Sequence, residues 1–285
     1  MCIDQNNVKE KNHQVGLMQE IYQRASTVII WLGPSSADSF HAINHIWSLG
    51  LSHFEHKPDR KALLALLSRS YWKRMWIIPE IFLAHNILVC CGKEVFLWDE
   101  LRETLERHLM VSNSWNQQCA TSYHCGCWNK NWHKEIRRSP GCRVVRAREQ
   151  YTIKKSMTTS HFVEDQFVTL LMNWADQECV DPRDKVYALL GLLPQRSPLQ
   201  VGALQADYQK STEVLYSELL TLFLHVSGSF KERRDFCVRL QKSLGVCPYN
   251  LKVEKTLKSF GPLLQGLTPA DFGQPHIRGC KQCRA

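Results

Sequence analysis

At 285 residues, 44 % of them hydrophobic, the chain is long enough to bury a core as one large domain or two modest ones, and too apolar for a disordered protein. Twelve cysteines accompany an N-terminus, MCIDQNNVKEKN, that has no apolar signal segment, so free thiols in a reducing compartment are expected rather than a secreted disulfide framework. The net charge of +9 resides in residues 113–163 and 231–285, at +7 each, and leaves the remainder mildly acidic.

The longest largely apolar stretch, Val214 to Val226, contains Glu218 and is too short to span a bilayer, which predicts a soluble, cytoplasmic protein with no membrane span. Trp115, Tyr123, Trp128 and Trp132 interleave with Lys130, Lys134, Arg137 and Arg138 in a manner able to stack on and clamp a single strand. A solvated or poorly ordered insertion is the simpler expectation, and no specific nucleic-acid partner is predicted.

In chain order, Val15, Met18, Tyr22 and Ala25 recur at helical spacing beside Leu17 and Ile21, and the polar residues Gln14, Gln19, Glu20, Gln23 and Arg24 fill the other side. Thr27 to Leu32 follows as a continuous, β-branched apolar run closed by Gly33-Pro34, which predicts a strand buried on both faces. Such a strand needs neighbours on either side, and Met1 to Ile3 offers the only earlier candidate. Ser36 or Asp38 is expected to cap a helix through Phe40, Ile43, Ile46 and Trp47. His41, His45, His53 and His56 lie on it and its loop; the first two are four apart, suited to a metal, but solvent-facing imidazoles are the expectation.

Lys61 to Ser68 reads as a short helix leading to Lys73-Arg74-Met75-Trp76-Ile77-Ile78-Pro79-Glu80-Ile81, in which Trp76 and Glu80 share a helix face. Pro79 must kink that helix or delay its start, since an interior proline costs about 3 kcal/mol. Asn86 to Cys91, the turn Gly92-Lys93 and Val95 to Leu97 predict a hairpin, followed by a helix from Asp99 to Leu109. Cys119, His124, Cys125, Cys127, His133 and Cys142 match no paired zinc framework, and Cys280-x-x-Cys283 is a half-site without a partner pair, so no metal is expected. Phe167, Leu170, Leu171 and Trp174 form a helical stripe. Asp181-Pro182-Arg183-Asp184 opens another helix, with Asp181 as N-cap and Asp184 at N3; a catalytic pair of acids is the sharper alternative. Asp207-Tyr208 and Ser211 precede a last helix through Leu215 and Leu219.

The runs CIDQNN, NHQVGLMQEIYQRASTVIIWLG, SRSYWKRMWIIPEI and DPRDKVYALLGLLP resemble, in order, the motifs of the fungal heterokaryon incompatibility (HET) domain family. The resemblance covers roughly the first two hundred residues. It implies an α/β fold: a TIR-like or flavodoxin-like, mostly parallel sheet with a hairpin and a following helical half, here expected to lack the family's first strand and its Leu-Ser-Tyr-x-Trp-Gly type motif. The implied divisions are an incomplete HET core at 1–112, a basic Cys/Trp-rich insertion at 113–163, a helical continuation at 164–230 and a basic tail at 231–285.

The spacing Trp76-x-x-x-Glu80-Ile81 also resembles the Trp-Cys-x-x-Glu-Leu of TIR domains, whose glutamate is catalytic in members that cleave NAD. The resemblance therefore implies Glu80 as the candidate catalytic residue, Trp76 as a base-binding shelf, and NAD as substrate with no resident cofactor. A carboxylate there would stabilise positive charge as nicotinamide leaves. Against that stands a structural role, Glu80 pairing with Arg74 and Trp76 lying in the core, and the departure at Pro79, where the family usually has Gln, favours it. The implied function is a self/non-self recognition and programmed cell death effector with protein partners or self-association. The competing expectations are a non-catalytic interaction module and an inactive relic, and no turnover is expected of the chain starting at Met1.

Overall fold

The computed structural model describes residues 4, 7–48, 57–114, 131–157, 163–193, 204–223 and 230–247, with positions 255 and 259. The chain divides into two compact units, 1–20 with 158–285, and 21–157. Among the described residues the fold is mixed α/β, mostly helical, and no helix is long and apolar enough to cross a membrane.

The unit at 21–157 begins with the last turn of α1 (Val8–Arg24), which leads into β1 (Val28–Trp31). Helices α2 (Ser39–Trp47) and α3 (Lys57–Leu67) come next, and a 3-10 turn at Ser70–Lys73 leads to α4 (Ile77–Leu83). A hairpin of β2 (Ile87–Cys91) and β3 (Glu94–Leu97) then runs into α5 (Trp98–Ser114), followed by α6 (Asn131–Arg138) and α7 (Pro140–Met157).

The sheet has the order β1-β2-β3 among the described residues, with β1 parallel to β2 and β2 antiparallel to β3. The sheet is therefore mixed, and the expected hairpin supplies its antiparallel pair. The two-residue turn Gly92-Lys93 leaves β3 no choice but to return antiparallel, whereas β1 reaches β2 through the α2–α4 crossover. Gly92 has φ 61°, and a Cβ there would lie 2.8 Å from Ser35. Its N–H donates to Gly33 O at 2.9 Å, so the hairpin tip is fastened to the turn after β1. Arg69 braces the same turn, donating to Leu32 O at 2.8 Å, Pro34 O at 2.7 Å and Ser39 Oγ at 2.9 Å.

The core lies on one side of this sheet. Val28, Ile30, Ile87, Val89, Cys91 and Phe96 are buried, and α2 and α5 pack against the strands. Contrary to the expected burial on both faces, β1 alternates: Ile29 is 66 % and Trp31 60 % exposed. Alternation follows from the pleat, and nothing among the described residues covers the second face. The α2 stripe is also corrected. Ala42, Ile43, His45 and Ile46 are inside, whereas Phe40 and Trp47 are exposed, because the buried arc is centred on Ile43 and Ile46.

Residues 131–157 are not a solvated insertion. Ile136 on α6 and Cys142, Val144, Val145 and Tyr151 on α7 are buried, and α7 packs on α4. The rest of that basic segment, with Cys119, His124, Cys125 and Cys127, lies outside the described residues, as do Met1 to Ile3, His53, His56 and Cys280 to Cys283.

The other unit contains the first turns of α1, α8 (Val163–Trp174), α9 (Asp184–Leu190), α10 (Thr212–Phe223) and α11 (Phe230–Leu244). Phe167, Leu170, Leu171 and Trp174 are buried as the helical spacing predicts, together with Leu215, Leu219, Phe236 and Leu240.

Candidate functional site

Helix α4 starts at Ile77 with Trp76 as its N-cap residue, so Pro79 falls in the first turn, where its missing N–H has no intrahelical partner to lose. The proline thus delays the helix rather than kinking it. Ile77, Ile78, Pro79, Ile81, Phe82 and Leu83 are buried, and Glu80, the polar residue of the helix, is half-buried among them. Trp76, four residues earlier, is half-buried at the N-cap and so stands outside the helix that it was expected to share with Glu80.

Glu80 sits between two phenols. The Tyr71 hydroxyl donates to Glu80 Oε2 across 3.4 Å, and Tyr22, on the last turn of α1, also hydrogen-bonds the carboxylate. Arg74 adds a positive charge, with its guanidinium 5.9 Å from the centre of the Tyr71 ring. Burial dominates: it raises the Glu80 carboxyl above its ordinary value although Tyr22, Arg74 and Tyr71 all pull downward. Burial, reinforced by the Glu80 charge, raises both tyrosines, which therefore stay protonated and act as donors. The arrangement is a half-buried carboxyl with two phenol donors and a cation close by. Sequence reading found Glu80 and Arg74 but missed Tyr22 and Tyr71, whose convergence depends on the 3-10 turn and on how α1 ends.

Asp181 and Asp184 are accounted for structurally. Asp181 Oδ1 accepts from the Arg183 N–H at 3.0 Å and Nε at 2.9 Å, and Arg183 also donates to Tyr208 O at 2.8 Å and Lys210 O at 2.6 Å. Lys11 lies 3.5 Å from Asp181 and 3.7 Å from the centre of the Tyr208 ring. Burial acts against the Asp181 charge, but the Arg183 hydrogen bonds and both cations hold its carboxyl below the usual range. Asp184 opens α9, not its third position; it is buried and accepts from the Tyr208 hydroxyl at 2.5 Å. Asn12 joins the same network through Tyr208 N–H at 2.9 Å. The two acids therefore tie α1 and the 204–211 segment to α9.

His41 is exposed, but His45 is not the solvent-facing imidazole expected: it is 2 % exposed and meets His108 of α5, Nε2 to Nε2, at 2.9 Å. The ring centres are 5.1 Å apart and the planes within 14°. A separation that long with nitrogens that close arises when the rings meet edge to edge, so one imidazole donates and the other accepts. No group of three or more metal-binding side chains occurs among the described residues.

The family described as Heterokaryon incompatibility protein (HET) matches residues 1–80, which include β1, the 3-10 turn and Glu80. The chain is 23 % identical, over 309 aligned positions, to Heterokaryon incompatibility protein 6, OR allele, of Neurospora crassa; the match covers 93 % of this chain and 44 % of that relative. The chain thus spans less than half the length of the curated relative it matches. No solved structure is detectably similar. The ordered motifs, the match through Glu80 and the relationship along nearly the whole chain make this protein similar to the heterokaryon incompatibility (HET) family.

Proposed function

We propose that the chain acts in heterokaryon incompatibility, as an effector of self/non-self recognition and programmed cell death, and that its chemistry, centred on Glu80, is cleavage of NAD. The observation that carries the chemical part is the environment of Glu80: a half-buried carboxyl in the first turn of α4, hydrogen-bonded by Tyr22 and Tyr71. In the TIR-like reading, the bond between the nicotinamide nitrogen and ribose C1′ breaks, its electron pair leaves with nicotinamide, and water adds at C1′ to give ADP-ribose. A fixed carboxylate beside that carbon lowers the energy of the cationic transition state, and Trp76 offers an aromatic face for the departing ring.

A second reading, a non-catalytic interaction module, is favoured by one observation of its own, the uncovered apolar face that carries Ile29 and Trp31. Expression of the full chain in fungal hyphae, scoring death together with the NAD pool, separates the two. NAD loss preceding death, and abolition of both by Glu80→Gln, supports the enzyme. Death with an undiminished NAD pool overturns it in favour of the module.

A further inference from the structure

The turn between β1 and α2 gathers hydrogen-bond donors around a serine and holds no anion. Pro34 to Asp38 are all exposed, with Ser36 at the centre. The half-buried Arg69 is fixed by its Nη1, which donates to Leu32 O and Pro34 O, and this aims Nη2 at two hydroxyls, Ser39 Oγ at 2.9 Å and Ser36 Oγ at 3.4 Å. All four acceptors are neutral. Among the described residues no carboxylate pairs with this guanidinium, and its Nε–H has no acceptor.

Lone pairs decide which hydroxyl donates. Ser39 is 3 % exposed, and its Oγ accepts from the Ser36 N–H at 2.8 Å and from Arg69 Nη2, which occupies both lone pairs. Its own hydrogen is then left for Ser36 Oγ, 3.0 Å away. The Ser36 oxygen thus receives one hydroxyl and one guanidinium donor, and its own hydrogen is free for solvent.

We propose that Ser36 is a phosphorylation site whose phosphate is received by Arg69 and Ser39. This inference goes beyond the reading above and does not depend on Glu80. Ser36 Oγ attacks the γ-phosphorus of ATP held by a serine kinase, and the Oγ–P bond forms. The bond from that phosphorus to the β,γ-bridging oxygen breaks, its electron pair leaves with ADP, and the serine proton passes to the kinase's general base. The product carries a charge of about −1.5 to −2 and three acceptor oxygens beside a guanidinium that has no counter-ion. Nη1 keeps its two backbone carbonyls, while Nη2 and Nε form the side-on fork that takes two phosphate oxygens. Ser39 adds a third donor.

Two features favour Ser36 over Ser35. Ser35 lies against the hairpin tip, 2.8 Å from where a Cβ on Gly92 would stand, which leaves no room there for a phosphate. Asp38, exposed two residues after Ser36 and making no side-chain capping bond, gives the site the acidic flank that a kinase with a basic groove reads. Once in place, the phosphate ties the turn after β1 to the start of the 3-10 segment, which begins at the next residue after Arg69.

The test has two arms. In the full 285-residue chain with phosphoserine installed at position 36 by codon suppression, phosphorus NMR follows the titration of the phosphate. Free phosphoserine titrates at about 6, and a cation beside it favours the dianion, so the midpoint in the folded chain is expected to fall by at least about 0.5 pH unit. It should return when the same chain is unfolded in urea, a comparison that needs no variant to fold. Arg69→Lys, which keeps the charge but not the fork, should retain part of the fall, and Arg69→Gln should abolish it. In chain purified from fungal hyphae, mass spectrometry is expected to find phosphate on Ser36 and not on Ser35. A midpoint that is the same folded and unfolded, a midpoint indifferent to Arg69→Gln in a folded chain, or an unmodified Ser36 in hyphae would each overturn the proposal.

Discussion

Tyr71, on the 3-10 turn before α4, donates its hydroxyl to Glu80 Oε2 across 3.4 Å, and yet the carboxyl stays raised above its ordinary value because burial outweighs the help. A group raised in the fold stabilises it fully below its unfolded value, about 4.3, and that contribution is lost as pH rises through the folded value. Above that folded value the ionised Glu80 is therefore a cost to stability. Glu80→Gln keeps the acceptor for both phenols and removes the charge, so its melting temperature at pH 7 should match the wild type or exceed it by up to about 4 °C. Calorimetry checks this. A drop of several degrees would mean that the charge is stabilising in place.

Asp181 behaves in the opposite sense. Its carboxyl is held down by Arg183 and Lys11, so its contribution is present above the unfolded value and lost as pH falls through the folded one. Unfolding monitored between pH 5 and pH 2 should lose stability on the acid side, and Asp181→Asn should flatten that slope while lowering stability at pH 7 by about 1–3 kcal/mol. An unchanged acid limb in the variant would show that Asp181 is not the group responsible.

The edge-to-edge His45–His108 contact joins α2 to α5 inside the core. A double-mutant cycle with His45→Gln and His108→Gln should give a coupling energy of about 1 kcal/mol or more, since each single change disturbs the same hydrogen bond. Additive single effects would contradict a direct bond.

Arg148 of α7 closes the far end of the helix that carries Glu80, donating to Ile81 O and Ala84 O, both at 2.9 Å. Arg148→Met retains the packed stem but leaves those carbonyls without the guanidinium, at a cost of about 1.5–3 kcal/mol. Faster amide exchange confined to residues 77–86 would accompany it. Global loosening without that local signature would argue against a capping role.

Much of this was legible in the sequence. Helical spacing located α1, α8 and α10, and Gly92-Lys93 between two apolar runs located the hairpin, because those signals are local. The two-sided burial of β1 was misread because Ile29 and Trp31 are as apolar as the core positions Val28 and Ile30, and the two faces differ only in that no described residues cover the one that carries Ile29 and Trp31. His45 needed His108, and Glu80 needed Tyr22 and Tyr71; each pair is made by packing across the fold, which spacing does not encode. Pro79 gave two outcomes in sequence, and the fold chose the later helix start.

Glu80 either performs chemistry or only ties α4 to Tyr22 and Tyr71. The direct measurement is nicotinamide release from NAD by the purified chain, with Glu80→Gln alongside and the fold of both verified by calorimetry. Against the expectation of no turnover drawn from the sequence, the surroundings of Glu80 predict release by the wild type that falls at least 100-fold in the variant, as expected when an electrostatic stabiliser of the transition state is removed. Equal release by both forms, or none from a well-folded wild type, would contradict it.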